Sequence, residues 1–248
     1  MPWRHLSRAE RICLVVLLAT LAGSPLLPPI AQDQAYHAFA DPRSLFGIPH
    51  AADVLSNLAF ALVGAFGIAR LRSTHRITLS PATEASLWCV AVGFVLTAAG
   101  SSWYHHAPND ASLAWDRLPM TLVFSGVIGT ALAERAGQRI ARVALALLIA
   151  VGVISIVHWR LSGNLSLYLL LQYGGIAAPL ALILATRRGD DPFPWGWVIG
   201  WYLLAKLFEL GDAWVWHATN GLFAGHAIKH VTAALAGAAI FTPLRATR

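Results

Sequence analysis

The chain has 248 residues, of which 57% are hydrophobic and only 12% charged, with a mean hydropathy of +0.60. A soluble domain carries about a quarter of its residues as charges, so this composition excludes one and points to a polytopic membrane protein. The formal charge of +6, from 18 basic and 12 acidic residues, reports topology before partners in such a chain and does not imply nucleic acid.

In chain order, Arg4, Arg8 and Arg11 precede an apolar run from Ile12 to Leu27 that predicts an uncleaved first helix ending in Pro25, Pro28 and Pro29. A cleavable signal peptide is the second reading, with Ala22-Gly23-Ser24 as its small-residue site; it would leave seven crossings and an outside start. Further apolar segments run from Ala51 to Ala69, Ala82 to Tyr104, Trp115 to Ala133, Ile140 to Val157, Leu165 to Ala185, Trp195 to Leu210 and Gly221 to Phe241. The expected fold is therefore an all-α, polytopic transmembrane helix bundle with eight crossings. Cys13 and Cys89 both fall in apolar runs and predict core residues rather than a disulfide. The longest non-apolar segment is the loop from Gln32 to His50, and neither a soluble domain nor an internal repeat is evident.

The loops test this count. Arg4, Arg8, Arg11, Arg70, Arg72, Arg76, Arg135, Arg139, Arg142, Arg187, Arg188, Arg245 and Arg248 fall on one side, against Arg43, Arg117 and Arg160 on the other. Basic residues mark the cytoplasmic face, so both termini are expected in the cytoplasm. The histidines divide the other way. His37, His50, His105, His106, His158, His217, His226 and His230 lie in outer loops or outer helix halves, leaving His5 and His75 inside. An outer histidine can be an interfacial anchor, but the clustering also brings potential ligands from several helix ends to one depth.

His226 and His230 are four residues apart in the last apolar run. On a helix they share one face, which is what a metal ion needs from two ligands; helix-packing histidines are the alternative reading. Ser101 and His105 repeat the spacing at the outer end of the third apolar segment, and Asp116 opens the fourth from the same side. Counting the last helix from Gly221 puts His226 about 7 Å and His230 about 14 Å along it, so the five groups can meet just under the outer interface. Ser101 could instead bond back to a helix carbonyl, and Asp116 could cap a helix with Pro119 in its first turn. Lys206, Glu209 and Asp212 follow at i, i+3 and i+6 on the seventh crossing. Lys206 and Glu209 predict an ion pair, or, with Asp212, Lys229 and Asn57, the lining of a pocket for a polar headgroup. Tyr168, Gln172 and Tyr173 are polar candidates of the same kind, and also suit helix-to-helix hydrogen bonding.

Taken together, Ser101-x-x-x-His105, Asp116-x-Leu118-Pro119-Met120 and His226-x-x-x-His230 resemble the alkaline ceramidase family, part of a membrane hydrolase superfamily that includes the progestin and adipoQ receptors. Asp53-Val54-Leu55-Ser56-Asn57 is similar to that family's early Asn-x-x-Ser-Asn element, so the resemblance spans about residues 33 to 241. It implies a seven-helix core over residues 32–248, with residues 1–31 as an added N-terminal helix. It also implies a zinc ion held by His105, His226 and His230, with Ser101 beside it and Asp116 contacting the metal-bound water. The function so implied is a zinc-dependent amidase that cleaves ceramide-like N-acyl lipids near the outer face of the membrane. The partner is then a membrane lipid, and no obligate protein partner is evident.

One part of the family pattern is missing. Where eukaryotic members carry a glutamate of an acidic calcium site, the corresponding residue is His50, and Asp33, Asp41 and Asp53 are too scattered for the dense oxygen cage that calcium takes. Two other classes remain open on the residues: a lipid-sensing receptor of the same superfamily with a structural zinc, and a bis-histidine haem protein. Ceramide is likewise not separable by sequence from another lipid amide or ester.

Overall fold

The computed structural model describes residues 28–73, 79–174, 180–183 and 192–244, with positions 11, 15, 19, 23, 26 and 177. The expected first crossing lies largely outside the described residues. So do Cys13, Ala22, Ser24, Arg4, Arg8, Arg76, Arg187, Arg188, Arg245, Arg248, His5 and His75. The described chain is all-α in its regular elements: α1 (Ala51–Ser56), α2 (Leu58–Ser73), α3 (Pro81–His106), α4 (Asp110–Arg135), α5 (Gln138–Ser162), α6 (Ser166–Leu169), α7 (Trp195–Leu210), α8 (Asp212–Ala218) and α9 (Gly225–Phe241).

Local chemistry sets several of these ends. Ser80 accepts the Thr83 amide at 3.2 Å, with Pro81 in the first turn and Glu84 beside it, which is a strong start for α3. Asn109 accepts the amides of Ala111 and Ser112 at 2.8 and 3.0 Å and starts α4. α5 ends at Gly163, whose φ of 74° suits a left-handed cap. α6 passes directly into a wider π turn over Leu170–Gly174, so the straight crossing expected from Leu165 starts instead as a short helix that changes pitch.

Among the described residues, three helices are long and apolar enough to cross a membrane: the 23 residues of α1 and α2 together, the 26 of α3 and the 25 of α5. They support a multi-pass integral membrane location. α4 matches α3 in length but carries Asp110, Asp116, Arg117, Glu134 and Arg135, whereas α7 and α9 have 16 and 17 residues, short of the ~20 that span a bilayer. The expected bundle of seven helices plus one is thus met in its helical character and in these three spans.

The chain forms two compact units. The first comprises Met1–Gln32, Thr78–Val90 and Thr121–Gly189. Its described interior includes Ile128, Leu148 and Leu171 packed together with Leu132. The extended segment at Ile30 is tied to the turn after α5 by Leu165 N–H to Ile30 O at 2.7 Å and Ile30 N–H to Asn164 Oδ1 at 3.0 Å. The second comprises Asp33–Ile77, Ala91–Met120 and Asp190–Arg248. There α9 packs chiefly on α7, then on α2 and α1. Its buried residues include His226, His230, Gly237 and Phe241, spaced so that one stripe of the helix faces inward.

Candidate metal centre

All of the candidate ligands belong to the second unit. α9 starts at Gly225, four residues later than the apolar run suggests, because Asn220 and Gly221 turn the chain with φ of 52° and 76°. Its start is fixed by close approach. A Cβ on residue 225 would sit 2.4 Å from the Phe208 carbonyl, so only glycine fits there. His226 is consequently the second residue of the helix rather than one about 7 Å along it. Its backbone N–H donates to Asp212 Oδ1 at 2.8 Å, and Asp212 Oδ2 accepts the Ala40 amide at 3.0 Å. Asp212, a candidate pocket residue by sequence, therefore ties the loop before α1 to the start of α9.

His230 follows one turn later, and His105 approaches from the last turn of α3. The three imidazoles bring one ring nitrogen each within 4.8 Å of the others. Their ring centroids lie 4.7, 4.9 and 5.1 Å apart, and all three side chains are buried. Both ring nitrogens of His105 and Nε2 of His226 are buried without a hydrogen-bond partner. Buried polar atoms are normally satisfied, so bare imidazole nitrogens facing one another fit a divalent ion as their shared partner. Three neutral imidazoles suit zinc or a similar ion. The buried triad is positioned to coordinate a metal ion and supports a metal-dependent hydrolytic active site.

Asp116 does not cap its helix. Asn109 does; Asp116 stands seven residues later, in the second turn, and Pro119 lies inside α4 rather than in its first turn. A proline at 119 cannot donate to the carbonyl four residues back, that of Trp115. This carbonyl turns toward α3, where a Cβ on residue 100 would meet it at 2.0 Å. Gly100 thus lets α3 and α4 touch backbone to backbone, a small-residue contact of the kind that joins membrane helices. The neighbouring residues gain from it: Ser101 lies beside the Asp116 side chain, and both are buried.

The charged candidates pair with one another. Lys206 Nζ bonds to Glu209 Oε2, and Lys229 Nζ donates to Glu209 Oε1 at 3.0 Å. The same Oε1 accepts the Tyr36 hydroxyl at 3.2 Å. Burial, with the Glu209 carboxylate next, holds the Tyr36 phenol well above its usual range, so it acts as a donor. Asn57 is buried where α1 meets α2, and its Nδ2 donates to the Asp53 carbonyl at 2.9 Å. Tyr168, Gln172 and Tyr173 belong to the first unit.

Sequence reasoning left several neighbours of the triad unassigned. The Phe39 ring packs on His105 and His226 with centroids 4.6 and 4.9 Å away, and Phe60 stands edge-on to His230 at 5.4 Å. His37 joins Tyr104 Oη at 2.9 Å to Asp110 at 3.1 Å, holding the loop against the ends of α3 and α4. No periodicity in the loop from Gln32 to His50 could have pointed to Phe39. Ser56 Oγ lies 2.7 Å from His230 Nδ1; its place in a Ser-Asn element was the available signal. Of the carboxylates weighed for calcium, Asp33 caps the turn at Gln34–His37. Asp41 binds Arg43 through both oxygens. Burial pushes the Asp41 carboxyl up, but hydrogen bonds from Arg43 outweigh it and hold it below its usual range.

No protein-family model matches the chain, and no curated protein matches it.

Proposed function

We propose that this protein is a zinc-dependent integral membrane amidase of the alkaline ceramidase type, hydrolysing ceramide-like N-acyl lipids to a sphingoid base and a fatty acid. The reading takes residues 32–248 as a seven-helix domain, residues 1–31 as an added helix, both termini as cytoplasmic and the metal site as near the outer face. The observation that carries it is the convergence of His105, His226 and His230 from two helices, with the Ser101–Asp116 pair one turn from His105.

A zinc ion held by the three imidazoles supplies Lewis acidity and makes water acidic enough to lose a proton near neutral pH. Asp116 is the proton carrier. Its carboxylate takes a proton from the attacking water as the water oxygen bonds to the acyl carbon, and returns it to the nitrogen as the carbon–nitrogen bond breaks. The Ser101 hydroxyl orients that carboxylate and can turn to the oxyanion of the tetrahedral stage. Phe39 and Phe60 line the imidazoles with apolar surface, which keeps bulk water from the site. An acyl chain adds about 0.8 kcal/mol per buried CH₂, so a long-chain substrate that enters sideways from the bilayer gains binding energy from its tail. The Lys206–Glu209–Lys229 cluster then faces a polar headgroup.

Metal analysis of the purified protein, combined with hydrolysis of a panel of N-acyl and ester lipids, tests the reading. The expected result is stoichiometric zinc and release of fatty acid from N-acyl sphingoid bases. A zinc-loaded protein that binds one of these lipids tightly and cleaves none would replace the enzyme with a receptor.

A further inference from the structure

We infer that Ser56 is a positioning residue for the metal centre: it fixes the tautomer of His230 so that Nε2 is the nitrogen offered to a divalent ion. This rests on the zinc-site reading above. Ser56 lies on α1, in sequence 174 residues from the histidine it touches. Its hydroxyl has one proton to give. It donates to the Asp53 carbonyl at 2.9 Å, the usual return of a helical serine to its own backbone. With that proton used, Oγ has only lone pairs for His230 Nδ1 at 2.7 Å, and a contact of that length between nitrogen and oxygen needs a proton from the ring. An acceptor at that edge of the imidazole leaves Nδ1 protonated and Nε2 with its lone pair free.

The three ligands are not held alike. Both His105 ring nitrogens lack a hydrogen-bond partner, and the polar hold on His226 noted above is a backbone one, through Asp212. His230 has an imidazole tied on its far side to a hydroxyl of the helix that faces it. Outer partners of this kind fix ring orientation and raise ligand basicity, and losing one weakens metal binding by about 10–100-fold. Asn57 supports the arrangement by donating to the same Asp53 carbonyl at 2.9 Å.

The test uses the full-length protein in detergent, with zinc affinity measured by chelator competition. Ser56→Ala is expected to weaken zinc binding about 10–100-fold, whereas Ser56→Thr, which keeps the hydroxyl, should stay close to the unsubstituted protein. Imidazole nitrogen NMR on the metal-free protein supplies a readout independent of zinc and of turnover. It should show His230 protonated at Nδ1, with that preference lost in Ser56→Ala. An unsubstituted protein that binds zinc together with a Ser56→Ala variant of equal affinity would overturn the role of Ser56 alone. An unsubstituted protein with no zinc affinity would overturn the zinc-site reading and this inference with it. If Ser56→Ala does not fold, the NMR of the unsubstituted protein decides, and His230 protonated at Nε2 would refute the assignment.

Discussion

The two units bury polar groups in opposite ways. In the first, hydroxyls return to their own helix: Ser86 to Ala82 O at 2.8 Å, Ser125 to Thr121 O at 2.7 Å, Thr130 to Gly126 O at 2.9 Å and Ser155 to Gly152 O at 2.7 Å. Each bond is local and leaves the outer surface of its helix apolar. In the second, polar groups reach across elements, as Asp212 does from α8 to α9 and to the loop, Glu209 from α7 to α9, and Ser56 from α1 to α9. Among the described residues, the buried Asp41, Asp53, Asp116, His105, His226 and His230 all belong to this second unit. Local bonds make a helix tolerable in an apolar setting, whereas cross-element bonds fix the relative positions of the helices that carry ligands. A site that needs three imidazoles at one point requires the latter.

Removing a ligand should break the comparison most visibly. His226→Ala or His230→Ala is expected to lose zinc and hydrolysis together, because two imidazoles and a void do not make a closed ligand set. Metal content after gel filtration checks this, and full zinc in His230→Ala would defeat the ligand assignment. Asp116→Asn separates binding from chemistry. It should keep zinc and lower lipid hydrolysis by about 10²–10⁴-fold, the range for a lost general base. An active Asp116→Asn variant would remove Asp116 as the proton carrier.

The next effect is on stability. Glu209 contacts Lys206, Lys229 and Tyr36 through one carboxylate. Glu209→Gln removes the carboxylate that two largely buried ammonium groups contact, and removing one partner of a buried pair costs about 3–5 kcal/mol. Thermal unfolding in detergent should show a large drop, with no direct loss of zinc ligands. A variant as stable as the parent would mean that the lysines find other partners, and that cross-element charge is not what holds α7 to α9.

The legible part of the molecule was the part carried by helical periodicity. Residues i and i+4 share a face whatever else surrounds them, so Ser101 with His105 and His226 with His230 could be paired without a structure, and the apolar segments located α3, α5 and α7 within a few residues. What periodicity could not supply was the exact start of a helix. Asp116 reads as a cap only if α4 starts beside it, and the Asn109 cap moves that start to Asp110. The onset of α9 was set by turn residues at Asn220 and Gly221 rather than by apolarity. Some contacts across long sequence separations left no pattern. Phe39 sits in an irregular loop, and Tyr36 finds Glu209 at a distance of 173 residues along the chain. The charges at Lys206 and Glu209 were visible as a pair, but Lys229 as the second cation on Glu209 depends on α7 packing against α9.

The smallest effect is the sharpest control, because Ser125 and Ser56 start from the same local chemistry. Each donates its hydroxyl proton to a carbonyl of its own chain segment, Ser125 to Thr121 O at 2.7 Å and Ser56 to Asp53 O at 2.9 Å. Ser56 is distinguished by its second contact, to an imidazole on another element. Ser125→Ala removes a back-bond that contributes little to a helix and can even weaken it slightly, so stability should change by no more than roughly 0.5 kcal/mol in either direction. Zinc affinity should not change. The two alanine variants measured side by side therefore separate the loss of a hydroxyl from the loss of a bridge. Equal weakening of zinc binding by both would show that the centre responds to helix stability in general, and that burying polar groups across elements carries no special role in holding it.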